Sequence, residues 1–509
     1  MGMRVRIRAC AAASAVLAGA LALTACTSPG PAAGTPRSAS LSPGGTSTGG
    51  SPGATPGATS ATSPASPPPA GAFAAGRSQP VADDVYPQYG DPATDVLHYG
   101  LDLKWDPAAR LLTGTATLTI RAAAPTGKFV LDFAGPLAMD SLTVDGRPGQ
   151  GSRAGNKLTV VLPQPAAADT TATVVVAYHG TPQTVTPPVT RPDITGVGAS
   201  VTAGGAVWAQ QEPYGAFTWF PCNDQPSDKA LYDVAITAPD GWAGVSGGAF
   251  QGRTEVGGQG VYKWHQPDPV STYLVAFAVD QFKEDTATGP HGLPLTFWYL
   301  PAQADAVHKL TAQVPQMISY LEQLYGPYPF GTGGVLFRPE EVGMETQTMI
   351  TLYPGLPAFD LLHEFAHQWF GDAVTPKTWE GMWLNEGFAM YSQLLWQNAT
   401  AARSQPVDQL MANFLFQDQS LRTQDGPPGH YLPTHFASPN VYIPPALMLN
   451  KIRDQVGDKA FFSLCADWVG QHKGTNQDRA SFTAFVNQHT GKDLTALIDS
   501  WLDSPTTPK

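Results

Sequence analysis

Residues 363–387 read HEFAHQWFGDAVTPKTWEGMWLNEG, and their spacing decides how this part of the chain folds. His363 and His367 are four apart, so on a helix they share one face with Cβ atoms roughly 5–6 Å apart. Both imidazoles can then reach one metal ion at about 2.0–2.1 Å. Glu364 is turned off that line, too far round to be the natural third ligand but close enough to act on a water beside the ion. Gly371 and Pro376 are stop signals, so the first helix is expected to end near Gly371-Asp372. A second helix is expected over 378–396, with Glu386 near its middle. Two antiparallel helices joined by a short loop would set Glu386 opposite the histidines. Three protein donors leave a fourth position for water, the arrangement of a catalytic zinc rather than a structural one.

His-Glu-x-x-His alone recurs by chance, and the plain alternative is an exposed helix whose polar residues face solvent. The neighbours oppose that alternative. Phe365, Ala366, Trp369 and Phe370, with Trp383, Leu384 and Phe388, mark both helices as buried. Charged groups in such helices are costly unless paired or metal-bound. The reaction class that follows is metal-assisted hydrolysis.

Composition bounds the rest. The chain has 509 residues, 42% hydrophobic and 14% charged, with formal net charge −12, enough for two or three domains with real cores. The acidic balance and the lack of a basic run exclude nucleic acid as a partner. Arg4, Arg6 and Arg8 precede a short apolar run at 11–23, the pattern of an export signal rather than a membrane-spanning helix. It ends Leu23-Thr24-Ala25-Cys26, which resembles a bacterial lipobox with Cys26 as the acylated residue. An ordinary signal peptide cleaved near Ala25 would instead release a secreted protein. From 27 to about 77 the sequence is almost wholly Ser, Thr, Pro, Gly and Ala, with too little apolar side chain to offset its ordering entropy. The expected layout is a signal peptide at 1–25, acylated Cys26 and a disordered tether over 26–82, an all-β domain at 83–284 and a catalytic domain at 285–509. The protein would thus be lipid-anchored to the outer face of the cell membrane. Cys222 and Cys465 fall in different expected domains, and two free buried thiols are at least as probable as a bond.

Residues 112–120 alternate threonine with apolar or small residues, a period-two strand pattern. Further strands are expected at 129–133, 157–162, 171–178, 232–237 and 273–279, in packed antiparallel sheets. After a strand at 293–300, a helix is expected over 304–325, kinked at Pro315. A strand over 335–337 follows, and the rest to Leu502 is expected to be mostly helical. No large C-terminal helical domain is expected after it.

The two zinc segments resemble those of the gluzincin aminopeptidases, the aminopeptidase N and leukotriene hydrolase family, and the likeness runs over roughly residues 83–509. Phe220-Pro221-Cys222-Asn223-Asp224-Gln225-Pro226 resembles the family's signature in the β domain. Glu212, ten residues before Cys222, stands in the place of a residue that helps bind the substrate amine. Val342-Gly343-Met344-Glu345-Thr346 stands where the family has Gly-Ala-Met-Glu-Asn, and Tyr442 precedes a helix as the family's tyrosine does. The resemblance implies a saddle-like β domain packed on a mainly α, thermolysin-like domain, with the site in the cleft between. It implies one Zn²⁺ per chain on His363, His367 and Glu386, with Glu364 as general base and acid and Tyr442 as oxyanion donor. Glu345 and Glu212 would hold the α-ammonium of a peptide with a free N-terminus, and the Gly343-Met344 backbone would pair with its main chain. Three features depart from the pattern. Thr346 replaces Asn and Val342 replaces Gly, which is expected to loosen main-chain recognition, and Gln393 stands where many members carry Glu. Two other functions fit the motifs: a catalytically inactive zinc-containing binding module, or a related zinc hydrolase such as an endopeptidase or epoxide hydrolase.

Overall fold

The computed structural model describes residues 71–189 and 194–509. The signal sequence, Cys26 and most of the tether lie outside the described residues. Among the described residues no helix is long and apolar enough to cross a membrane.

The first domain is built on an eight-stranded sheet. Its central strands, Thr94–Asp106 and Leu111–Ala122, pair antiparallel. The alternation seen in the sequence is real: Leu112, Ala116, Leu118 and Ile120 are buried while Thr113 is exposed. The strands at 157, 171 and 232 form where expected, each longer by a few residues than its apolar pattern. Two expectations are corrected. The sheet is not purely antiparallel, because Thr94–Asp106 runs parallel to Lys229–Pro239. The segment at 273–279 is not one strand: it is a 3-10 turn, Thr272–Leu274, followed by the strand Phe277–Asp280. A four-stranded sheet beside the large one contains Val207–Gln210, whose exit loop carries Glu212.

Residues 71–82, expected in the tether, are packed on this domain. Phe73 stacks on His98 with ring centroids 4.0 Å apart, and Ser78 is buried. An aromatic and a hydroxyl anchor hold residues 71–82 on the sheet.

The second domain starts on a five-stranded mixed sheet, with Gly343–Met344 at its edge. The helix expected over 304–325 is two: α1 (Ala304–Thr311) and α2 (Val314–Tyr325). Pro315 lies in the first turn of α2, where a missing N–H costs no hydrogen bond, so proline restarts a helix here rather than kinking one. Next come α3 (Ala358–His367) and α4 (Trp383–Thr400). A 3-10 turn, Trp379–Met382, occupies the start of the expected second helix, so Glu386 sits in the first turn of α4 and not at its middle. Helices α5 (Val407–Asp425), α6 (Ile443–Val456), α7 (Asp458–His472), α8 (Arg479–Thr490) and α9 (Thr495–Asp503) complete the domain. Cys222 and Cys465 are both free and buried.

The domains are joined by Lys229, on the strand Lys229–Pro239. Its Nζ donates to Asp372 O at 2.7 Å and to Thr375 Oγ1 at 2.8 Å. Burial pulls this ammonium from 10.5 down to about 7, with the nearby Asp372 opposing the shift. Between those values the unfolded chain binds a proton that the folded chain does not, so stability rises with pH across the window and is lost as pH falls toward 7. The melting temperature of wild type minus that of Lys229→Met should therefore increase from about pH 7 to about pH 10. A difference constant across that range would mean that Lys229 does not titrate within it.

Candidate active site

Helices α3 and α4 meet through their apolar faces. Phe370, just after α3, stacks on Phe388 of α4 with centroids 4.0 Å apart and planes 6° from parallel. Every residue of α3 from Asp360 to His367 is buried, as is α4 from Trp383 to Trp396. That packing sets the polar stripe of one helix against the other. His363 Nε2 lies 3.1 Å from Glu386 Oε2, and His367 Nε2 lies 3.5 Å from the same oxygen. The donor atoms of all three residues are within 4.8 Å of one another.

His367 Nδ1 is 3.1 Å from Phe370 O. A carbonyl can only accept, so Nδ1 carries a proton, and Nε2 is the nitrogen that faces Glu386 and would be open to a metal. Gln393, two turns along α4, is the polar side chain against the His363 ring. Two imidazoles and a carboxylate on a buried helix pair fit zinc in number, type and spacing. A second set, Glu345, Glu364 and His367, also lies within 4.8 Å, but it draws on the same histidine. One imidazole nitrogen serves one ion, and the two-histidine set is the better zinc donor.

The sequence-predicted residues from both domains come together here. Burial holds Glu212 well above the ordinary carboxyl range, reinforced by the charges of Glu345 and Glu386. Glu345 and Glu364 are raised by burial too, and Glu364 also by Glu345 and Glu386. Burial disfavours charge on His367, yet Glu345, Glu386 and Glu364 outweigh it and raise the imidazole well above its usual value. Burial would raise Glu386, but His367 and His363 hold it at about 2. The site thus crowds four carboxylates around two imidazoles, an arrangement that only added positive charge relieves. Glu212 Oε1 and Glu345 Oε1 are buried with no protein hydrogen-bond partner.

Tyr442 sits at the head of α6, and its ring faces His363 with centroids 6.0 Å apart and planes 21° from parallel. Gly343–Met344 pairs antiparallel with Ile350–Leu352 on one side only, since it is the last strand of its sheet. A methyl group placed on Gly343 would lie 2.3 Å from Glu364 Oε1. The backbone at Gly343 therefore runs directly against the carboxylate expected to move the proton.

Several contributors escaped the sequence reading. Gln368 Oε1 accepts from Thr348 N at 2.8 Å and from Tyr328 Oη at 3.2 Å, and its Nε2 donates to Glu345 O at 3.3 Å. It holds the turn that carries Glu345. Thr346, which replaces the family's Asn, is buried, donates to Met349 O and meets Thr351 Oγ1 at 3.1 Å, closing the same turn. Asn385 Nδ2 donates to Tyr273 Oη at 3.4 Å, linking the residue beside Glu386 to the β domain. The only sequence signal for Gln368 was its place next to His367; Tyr273 offered none.

Residues 312–501 match the Peptidase family M1 domain, and residues 95–274 match the Peptidase M1 N-terminal domain. Glutamyl aminopeptidase of Bitis rhinoceros is 26% identical over 322 residues, which are 57% of this chain and 33% of that protein. Aminopeptidase B of Rattus norvegicus is 28% identical over 338 residues, 59% of this chain and 50% of its own length. The chain thus spans a third to a half of these relatives. Among solved structures, an M1 zinc metallopeptidase from Deinococcus radiodurans aligns with TM-score 0.76 at 28% identity, over 85% of this chain and 98% of the other. A mutant of that enzyme is bound to a Tyr-Ser-Ala substrate.

The contact at Gly343 gives a specific expectation. In Gly343→Ala the new methyl displaces the free end of a side chain rather than backbone, so melting temperature should hardly change. The motif that this segment resembles carries Ala at the same place, and the end of the Glu364 side chain can swing clear, so turnover should stay close to that of wild type. A large loss of turnover at unchanged melting temperature would show that this chain needs the space that Gly343 leaves beside Glu364.

Proposed function

Because the chain belongs to peptidase family M1, a family of zinc metallopeptidases, we propose that it is an aminopeptidase that removes N-terminal residues from peptides. One observation carries this reading. Glu212 and Glu345, from different domains, are buried beside the candidate metal triad, and each keeps an acceptor oxygen with no protein partner. Two such carboxylates suit the α-ammonium of a free N-terminus, which would supply the missing hydrogen bonds and charge. An amine held there limits the reach to the scissile bond to one residue, which makes cleavage exo. The tripeptide seen on the Deinococcus radiodurans enzyme supports peptides as the substrate class.

His363, His367 and Glu386 would hold one zinc ion. When bound, zinc lowers the pKa of a water and polarises a carbonyl. The chain's own residues do the rest. Glu364 takes the water's proton and later delivers it to the leaving amine, and its raised proton affinity suits that exchange. Tyr442 donates to the oxyanion as charge develops on the scissile carbonyl. The free edge of Gly343–Met344 pairs with the substrate main chain as an added strand and lines the peptide up with Glu364. We also assign the protein to the outer face of the cell membrane, on the strength of the lipobox-like run ending at Cys26. Cys26→Ala should release the protein into the culture medium, and a variant that stays with the membrane fraction would remove the lipid anchor from the proposal.

A panel of aminoacyl fluorogenic substrates, each beside its N-acetylated twin, tests the activity. Free amines should be cleaved and the acetylated forms should not. Equal cleavage of both would point to an endopeptidase. Chelator should abolish activity and added zinc restore it. Glu364→Gln should lower kcat by about 10³-fold or more with zinc still bound, and Tyr442→Phe by about 10²–10³-fold. Glu345→Gln should raise KM for free-amine substrates by about 10-fold, the loss of one charged hydrogen bond.

A further inference from the structure

The segment that precedes the first strand is a strap laid over both domains. Ser78 anchors it to the β domain: its Oγ donates to Lys229 O and accepts from Lys229 N, each at 2.9 Å, and its O accepts from Arg121 Nη2 at 2.7 Å. Val81 N donates to Ser227 Oγ at 3.0 Å. Five residues after Ser78 the strap crosses to the second domain. Asp83 is buried, and its Oδ1 accepts from Val85 N at 2.9 Å and Tyr86 N at 2.7 Å, which fixes its own turn. Its Oδ2 accepts from Trp379 N at 2.8 Å.

Trp379 opens the 3-10 turn Trp379–Met382, which runs straight into α4. The residue before it, Thr378, makes no side-chain capping bond. The cap of this turn is therefore a carboxylate nearly three hundred positions earlier in the chain. The same turn is held from a third side. Tyr431 Oη donates to Trp379 O at 2.8 Å, and Phe436 packs edge-on to the Trp379 indole at 5.1 Å. The strap braces that segment too, since Tyr86 Oη donates to Pro433 O at 2.8 Å.

We propose that Asp83 is a positioning residue for the metal ligand Glu386, acting through Trp379. This rests on the reading of His363, His367 and Glu386 as the zinc site. Glu386 lies in the first turn of α4. A turn that shifts or frays at Trp379 carries that displacement along a rigid backbone to Glu386 within two helical turns. A zinc ligand tolerates only about 0.2 Å of misplacement. The strap thus sets the third ligand relative to the two histidines of α3, which have their own support.

The test is zinc affinity of the full-length apoprotein, measured by competition with a chromophoric chelator, together with kcat and KM at saturating zinc. Asp83→Ala should weaken zinc binding by about 10-fold or more, the usual cost of losing support behind a ligand. It should lower kcat while KM for a free-amine substrate stays within about twofold, a split that general destabilisation would not give. Asp83→Asn keeps one acceptor for Trp379 N and should fall between wild type and Asp83→Ala. It carries the comparison if the alanine variant does not fold. Asp84→Ala, at an exposed neighbour on the same strap, should match wild type. Zinc affinity within about twofold of wild type in the Asp83 variants would overturn the proposal, whatever happens to melting temperature. Glu386→Gln is the reference: if it retains full zinc affinity, the metal-ligand assignment has failed and not the strap.

Discussion

Four glutamates share one buried volume with two imidazoles, and the molecule is arranged around making that tolerable. Burial pushes Glu212, Glu345 and Glu364 toward the neutral form, and the charge of Glu386 adds to the shift in all three. Only Glu386, which has both histidines against it, is held ionised. A buried cluster of like charges destabilises a fold unless cations complete it. Under the proposed function, a divalent ion at the histidines and an ammonium at Glu212 and Glu345 would be the two positive charges that complete this one. Metal binding and substrate binding would then draw on the same electrostatic imbalance.

That imbalance explains why the surroundings are so heavily packed. Trp369, Trp379 and Trp383 are among the largest fully buried side chains, and all three border the two ligand-bearing helices. Large rings exclude water, which keeps the local dielectric low and the charges strongly felt. They also fix the helices, as the parallel stack of Phe370 on Phe388 does. A looser core would let the carboxylates separate, and the affinity for cations would fall with the distance between them.

The two histidines of the candidate metal cluster were legible in the sequence because their geometry is local. A spacing of four residues fixes two side chains on a helix whatever the rest of the chain does. Glu386 was legible as the carboxylate of a second buried helix, Tyr442 as a candidate through resemblance, and the strands at 112–120 and 171–178 through alternation. What was not legible depends on contacts distant in sequence or on backbone choices that composition does not encode. Pro315 is compatible with a kink or a helix start, and only the packing of α1 and α2 decides. Thr346 entered the sequence reading only as a departure from the family's Asn. In three dimensions its hydroxyl serves the Glu345 turn. The parallel pairing of Thr94–Asp106 with Lys229–Pro239 joins strands more than a hundred residues apart, and neither carries a mark of it.

The site belongs to neither domain alone. The second domain supplies the ligands, Glu364 and Tyr442, while the first supplies Glu212, the Tyr273 hydroxyl under Asn385 and the Lys229 ammonium over Asp372. Two of these hold the path from α3 to α4: Lys229 reaches Asp372 and Thr375, and Tyr273 packs on Trp379 and meets Asn385 at the start of α4. A loop of that length, left to itself, has several ways to connect two antiparallel helices. Contacts from outside reduce those ways to one, and they cost the second domain no conformational entropy beyond what domain docking already removes. The β domain is thus more than a wall of the cleft: through Lys229 and Tyr273 it braces the path between His367 and Glu386, and with it the spacing of the candidate metal ligands.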